Sequence, residues 1–316
     1  MNKYFIVLAF LIVSTGLMAQ QTDSLKKGNA PVKNDNPADS LLNSMSGDQQ
    51  NQPVNGFRST RLTLSQTTET VKKKTLNFMV IHRFGDFAGK NGGGRFFYGL
   101  DDVADVYIGF EYGITDNLSV EFGRSTQPTL GGLVDLELKY AILHQTTDDN
   151  VPLSLTILGQ TGVRPYNSYN SFGDRLSYFG QVILSRQFGA AFTIQVSPGF
   201  VQDNTAYPLV AGNQESFFSL AAAARLKVTK HMSVIVDYAH PFSSFRTGAN
   251  GFSDPLGFGI EVVTGGHVFT LNITNARSVS EINYLSNTQS DYSRGQYRIG
   301  FTISRIFDFN HKSTYK

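Results

Sequence analysis

Eleven charged residues carry most of the chemistry this sequence could perform: Asp105, Glu111, Glu121, Asp135, Glu137, Lys139, Arg225, Lys227, Asp237, Glu261 and Arg298. Each falls at an alternate position of a stretch whose intervening residues are apolar. In the stretch 133–143, for example, Val134, Leu136, Leu138, Tyr140 and Ile142 interleave with Asp135, Glu137 and Lys139. A period of two places the apolar set on one face of a strand and the charged set on the other. If the charged faces line an enclosed space, acids on one side and bases on the other would set up a transverse field that orients dipolar solutes. Counting along each stretch puts Glu121, Glu137 and Asp237 near mid-height, Arg225 and Lys227 toward one end and Arg298 toward the other. The plainer alternative is that these charges pair with near neighbours and rigidify the interior.

Other chemistries find less support. The six histidines, His82, His144, His231, His240, His267 and His311, include no i, i+2 strand pair and no HExxH. His144, His231 and His267 share one end of the pattern, where a metal or haem-protein contact would compete with a simple interfacial role. Cysteine is absent, which removes disulfides, thiolate ligands and a thiol nucleophile. The string GDFAGKNGGGRFFYG is one residue short of a phosphate loop and has Asn91 where a magnesium-binding Ser or Thr would stand. For a serine hydrolase the nearest pairing is His240 with Ser243, and the sequence shows no third group to orient the histidine. No catalytic, cofactor or metal residue is therefore assigned, and an enzyme is not expected. Lys and Arg total 27 against 25 Asp and Glu, a balance that offers nothing to nucleic acid.

The charges are positioned by twelve alternating blocks, at about 75–84, 103–112, 118–125, 133–143, 151–161, 177–187, 191–201, 216–228, 232–240, 256–263, 267–275 and 296–307. Most are near the length a tilted strand needs to cross a bilayer. The sixth block alternates poorly. Five tight turns, such as Thr115-Asp116-Asn117 and Thr264-Gly265-Gly266, alternate with six longer polar loops, at about 85–102, 126–132, 162–176, 202–215, 241–255 and 276–295. Both ends of the series lie on the turn side. This rhythm predicts an all-β fold: a transmembrane, antiparallel, up-and-down β-barrel of about twelve strands with periplasmic turns and extracellular loops. Hydrocarbon leaves unpaired backbone groups without partners, so a spanning sheet must close. A soluble sandwich would also alternate, but with shorter strands and without the long-short rhythm. Tyr112, Tyr140, Tyr238 and Tyr297 fall in the apolar phase near block ends, as in an interfacial girdle built without tryptophan.

The rest of the chain divides into short segments. Residues 1–19, a basic leader and the apolar run Tyr4 to Met18, read as a secretory signal peptide cleaved after Ala19. Residues 20–56 are rich in Gln, Asn, Asp, Ser and Pro and cannot bury a core, which predicts a disordered periplasmic leader. Residues 57–74, including FRSTRLTLSQTTET, read as a linker or plug-like segment, either a further strand or a resident of the lumen. The barrel proper spans 75–309, and 310–316 form a C-terminal tail.

The strings HRFGD at 82–86, FYGLDDVADVYIGFEYGITDNLSVEFGRS at 97–125 and VPLSLTILGQTG at 151–162 resemble an uncharacterised Bacteroidota outer-membrane barrel family, domain of unknown function 5777. The likeness covers roughly 57–310 and implies a fold and a compartment, with no agreed catalytic residues to carry over. The expected function is a narrow passive channel or porin for small polar solutes in the cell outer membrane. The expected partners are outer-membrane lipid and the barrel-assembly machinery, with no cofactor. Two other readings stand beside it. One is a closed structural barrel whose outer loops bind a partner; the other is an outer-membrane hydrolase using His240 and Ser243.

Overall fold

The computed structural model describes residues 52–166, 169, 171–204, 213 and 215–309. The proposed signal peptide, nearly all of the leader and the tail 310–316 lie outside the described residues. Twelve strands pair in chain order around a closed antiparallel ring: β1 (Thr75–Phe84), β2 (Val103–Gly113), β3 (Leu118–Ser125), β4 (Leu133–Leu143), β5 (Ser154–Val163), β6 (Leu176–Phe188), β7 (Phe192–Asp203), β8 (Ser216–Lys227), β9 (Met232–Phe242), β10 (Leu256–Thr264), β11 (His267–Thr274) and β12 (Arg298–Asp308), with β12 returning to β1. Closure leaves no edge strand exposed. Two bounds moved for local reasons. β5 begins three residues late because Pro152 has no N–H to give a ladder, and β12 begins at Arg298 because the Gln296 N–H is taken by the Asp291 carbonyl.

The alternation survives as an inside-out arrangement. On β4, Leu136 and Leu138 are 53% and 51% exposed on the outer wall, while Glu137 between them is 3% exposed inside. The outer face of the wall is mostly Val, Ile, Leu, Phe and Tyr, Tyr112, Tyr140 and Tyr238 among them, while the buried carboxylates, amides and hydroxyls of the strands point inward, the pattern lipid imposes on a spanning sheet. The inner wall is itself divided. Along β5 to β9 it is partly apolar: Leu158, Phe179, Ile183, Val201, Phe217, Ala221 and Ala239 form one cluster. That division explains the poor alternation of the sixth block, since β6 has apolar side chains on both faces.

Among the described residues, two pieces of chain fill the interior. The segment from Gly56 to Val71 enters from the turn end as a hairpin. From the loop end, the β11–β12 connection folds inward and forms a short helix, α1 (Glu281–Asn287), in which Glu281 to Ser286 are all buried. α1 rests against β6, β7 and β9. Ile282, Tyr284 and Leu285 join the apolar cluster there, so the loop is fixed by hydrophobic contact as well as by hydrogen bonds.

Candidate functional site: the occupied lumen

The hairpin is anchored at both feet. Val54 N–H donates to the Gln145 carbonyl at 2.7 Å, and Thr147 N–H donates to the Gln52 carbonyl at 3.0 Å, which adds a short antiparallel pairing beside the β4–β5 turn. At the other foot Lys74 N–H donates to the Gly113 carbonyl at 2.9 Å and Lys73 N–H to Asp116 Oδ1 at 3.0 Å. The chain runs so close to β2 here that a Cβ at Gly113 would stand 2.0 Å from the Lys72 carbonyl oxygen. Between the feet, Leu62 N–H donates to Ser65 O at 2.8 Å and Thr67 N–H to Thr60 O at 2.9 Å, closing a tight turn over Thr63 and Leu64.

Wall side chains take up the hairpin backbone that the turn leaves unpaired. Asp237, at mid-height on β9, accepts from Leu64 N–H at 2.7 Å, Ser65 N–H at 2.8 Å and the Ser65 hydroxyl at 2.6 Å. Arg83 donates to Thr63 O at 2.8 Å and Gln195 to Gln66 O at 2.7 Å. Lys139 donates to Thr60 O at 3.1 Å and to Gln66 Oε1 at 2.6 Å. Thr156 and Thr193 hold the carbonyls of Thr68 and Gly56 at 2.8 and 2.9 Å. Phe57, Leu62 and Leu64 supply the apolar part of the seat and are at most 2% exposed. Their burial contributes about 2 kcal/mol each.

The charges singled out in the sequence line this interior, and they are met locally rather than across an open space. Glu111 accepts from the Ser119 hydroxyl at 2.7 Å and lies 3.9 Å from Lys139. Glu121 accepts from the Tyr107 hydroxyl at 2.5 Å, and Glu137 lies 3.7 Å from Arg61. Asp105 is shared among Ser125, Gln127 and Val279, at 2.8, 2.9 and 3.0 Å. Asp135 is 1% exposed and is met by the Ser280 hydroxyl of the inward loop. The bases of β8 and β12 do not face these acids: Arg225 pairs with Glu261 at 2.7 Å, and Arg298 pairs with Asp86 and with the Ser290 hydroxyl at 2.8 Å. Lys227 is half-buried at the turn end and makes no ion pair among the described residues.

The cations that serve the acid-rich wall come from elsewhere. Arg61, on the hairpin, donates to Glu281 Oε1 at 2.7 Å, and its guanidinium carbon stands 5.6 Å from the centre of the Tyr107 ring. Arg83 projects from β1 and donates to the Ser278 carbonyl of the inward loop. Sequence reading missed Arg61, Arg83 and Glu281. Arg83 was within reach, since it shares the inward phase of β1 with Asn77; Glu281 and Arg61 lie outside any alternating block.

A cavity of about 400 Å³ remains at the turn end between the hairpin, β1 and β10 to β12, lined by Arg58, Glu69, Lys72, Asn77, His267 and Ser304. Glu69 accepts from Phe57 N–H at 3.2 Å and so ties the two legs of the hairpin together. Burial pushes its carboxyl up to about 7, against the opposing effect of the Phe57 and Gly56 backbone N–H groups.

The histidines serve separate local contacts. His82 stacks on Phe301 at 5.4 Å, and His144 meets Asn117 Oδ1 at 3.0 Å. On the outer wall at the loop end, His240 Nδ1 lies 3.0 Å from Asp254 Oδ2, which also accepts from Tyr238 OH at 2.5 Å. Asp254 is an orienting group that the sequence did not reveal. Ser243 Oγ accepts from the backbone N–H groups of Phe245 and Arg246 at 3.3 and 3.2 Å, and so caps the turn that follows β9. His311 lies outside the described residues.

Comparison with known proteins gives a family and a set of folds. The family model described as a membrane-bound beta barrel domain (DUF5777) matches residues 57–307. No curated protein matches the chain. Among solved structures, it is similar to the NanC porin, with 10% identity over 73% of this chain and 98% of that one and a TM-score of 0.45. It is also similar to the KdgM porin solved with disordered oligogalacturonate, with 6% identity over 75% and 99% and a TM-score of 0.42. A third is Omp33 of Acinetobacter baumannii, with 9% identity over 74% and 99% and a TM-score of 0.40.

Proposed function

We propose a function for this chain, which belongs to the family of membrane-bound β-barrel domains DUF5777: it is an outer-membrane channel for small polar solutes, held shut at rest by its own lumenal hairpin. The observation that carries this reading is that the wall closes without the hairpin. Every strand has both its ladder partners in the ring, and the hairpin is held mainly through side chains, so its withdrawal breaks no pair of the ring. A barrel permanently filled gains little from lining itself with carboxylates, because a buried ion pair contributes less to stability than apolar packing of the same volume. Such a lining fits a passage that water and solutes enter. α1 rests on β6, β7 and β9 and the loop before it on Arg83 and Asp105, so withdrawal would clear the space the hairpin fills between Lys139, Gln195 and Asp237 and leave the inward loop as the constriction.

The test is conductance in planar bilayers. The wild-type chain should conduct rarely. The full chain carrying Leu64→Asp, which sets a second carboxylate against Asp237 and inside the apolar cluster, should show sustained openings and admit small sugars in liposome swelling. Silence from a correctly folded Leu64→Asp barrel would favour the closed structural barrel instead, a reading that the apolar contacts of α1 support.

A further inference from the structure

We propose that the seat of Arg61 is a recognition site for a small organic cation bearing a guanidinium or primary ammonium group, and that Arg61 occupies it as a built-in stand-in while the channel is shut. This rests on the channel reading above and names the solute class.

Three observations support it. First, Arg61 is held as a ligand is held: Glu281 Oε1 at 2.7 Å, Glu137 Oε2 at 3.7 Å and the face of Tyr107 at 5.6 Å together form a carboxylate clamp with an aromatic wall. Second, every group of that clamp belongs to the barrel or to α1. Tyr107 is on β2, Glu121 on β3, Asp135 and Glu137 on β4 and Glu281 on α1, so the clamp stays when the hairpin leaves. Third, the clamp offers more than Arg61 uses. Glu121 Oε2 and Glu281 Oε2 accept no hydrogen bond, while Nε and Nη2 of Arg61 donate none, all of them buried, and Asp135, met by the Ser280 hydroxyl, adds a further carboxylate beside them. A pair evolved only to fasten the hairpin would match donors to acceptors. The surplus oxygens can receive a cation of another shape.

The charge balance points the same way. Withdrawal removes Arg61 and takes away Thr60 O and Gln66 Oε1, two of the oxygens that hold Lys139. Glu121, Asp135, Glu137 and Glu281 are then left with Lys139 and, from β1, Arg83 as the cations of the wall. Carboxylates in excess of cations, in a passage with low-dielectric walls, draw cations in and repel anions. Amines and guanidines reach this clamp through the same contacts that Arg61 makes.

Two measurements test the site. In detergent micelles, the full chain with Arg61→Gly should be stabilised against heat by millimolar methylguanidinium in a saturable way. Sodium chloride of equal concentration should not do this, and adding Glu137→Gln and Glu281→Gln should abolish the shift. Absence of a saturable shift overturns the proposal. In planar bilayers, the Leu64→Asp chain should select cations over anions, and methylguanidinium should reduce its potassium current; Glu137→Gln should weaken both effects. If that chain conducts without preferring cations, the cation site is wrong and the channel stands. If it conducts nothing, the channel reading fails, and the micelle experiment judges the seat by itself.

Discussion

Replacing Asp237 by alanine is the sharpest single test of how the hairpin is held. The carboxylate accepts three hydrogen bonds from the turn over Leu64 and Ser65. Its removal leaves two buried N–H groups without acceptors, and each hydrogen bond to a charged group contributes about 1.5–3 kcal/mol. Some of that returns as water enters the space, so the expected loss of seating energy is about 4 kcal/mol. This corresponds to roughly a thousandfold rise in the ratio of withdrawn to seated hairpin. The native chain has no cysteine, so a single Thr63→Cys at the hairpin tip reports directly through an impermeant maleimide. Thr63 is 3% exposed when seated. The labelling rate should rise by two to three orders of magnitude in the Asp237→Ala background, on the order expected from those hydrogen bonds, and Asp237→Asn should fall between the two. Heat-modifiable migration in gels should confirm that the barrel is intact. An unchanged labelling rate in a folded barrel would refute the assignment of Asp237 as the hairpin's anchor.

Other predictions concern pH and the wall. Glu69 has its carboxyl raised to about 7 when the hairpin is seated, so seating is strongest below the ordinary glutamate range. It weakens as pH rises from there to about 7 and is constant above, because the withdrawn chain binds fewer protons. Thr63→Cys labelling and channel opening should therefore increase by about tenfold or more between pH 5 and 8, and Glu69→Gln should flatten that dependence; a profile unmoved by the substitution would contradict it. On the outer face, Leu136→Arg puts a cation on the apolar wall at a cost of about 2–4 kcal/mol near the bilayer midplane. Folding into lipid vesicles should suffer accordingly, whereas Leu136→Phe should fold as wild type. Equal folding yields for the two would mean that this face does not meet hydrocarbon.

How much of this was legible in the sequence depends on which solvent wrote the pattern. Lipid demands apolar residues at every second position, so β2, β3 and β4 stand out in the sequence, and their bounds agree to within a residue. β6 was harder because Phe179 and Ile183 face a partly apolar interior while Val182 and Leu184 face outward, which erases the contrast. The eleven charges were read as inward-facing from phase alone; ten of them are buried and Lys227 is half-buried at the turn end. Their partners were not legible, because Arg61 and Glu281 reach the cluster from a hairpin and a loop whose path no local pattern encodes. The hairpin resembles a strand in sequence because Arg61, Thr63 and Ser65 do alternate with Leu62 and Leu64. Only the side chains waiting on the wall decide that it turns back inside the lumen. α1 left a faint signal in the apolar pair Ile282 and Leu285, spaced for one face of a helix within a polar loop.

A disulfide between hairpin and wall asks whether the seated hairpin is what closes the pore. Ser65 Oγ and Asp237 Oδ1 are 2.6 Å apart, so Ser65→Cys and Asp237→Cys face one another, and a modest shift of the hairpin tip brings their β-carbons to the separation a disulfide needs. The bond should form readily under mild oxidation, the oxidised barrel should be electrically silent in a planar bilayer, and reduction should give frequent openings, because the hairpin has then lost its carboxylate anchor. Failure of the cysteines to join, or identical conductance in the oxidised and reduced forms, would contradict closure by the hairpin.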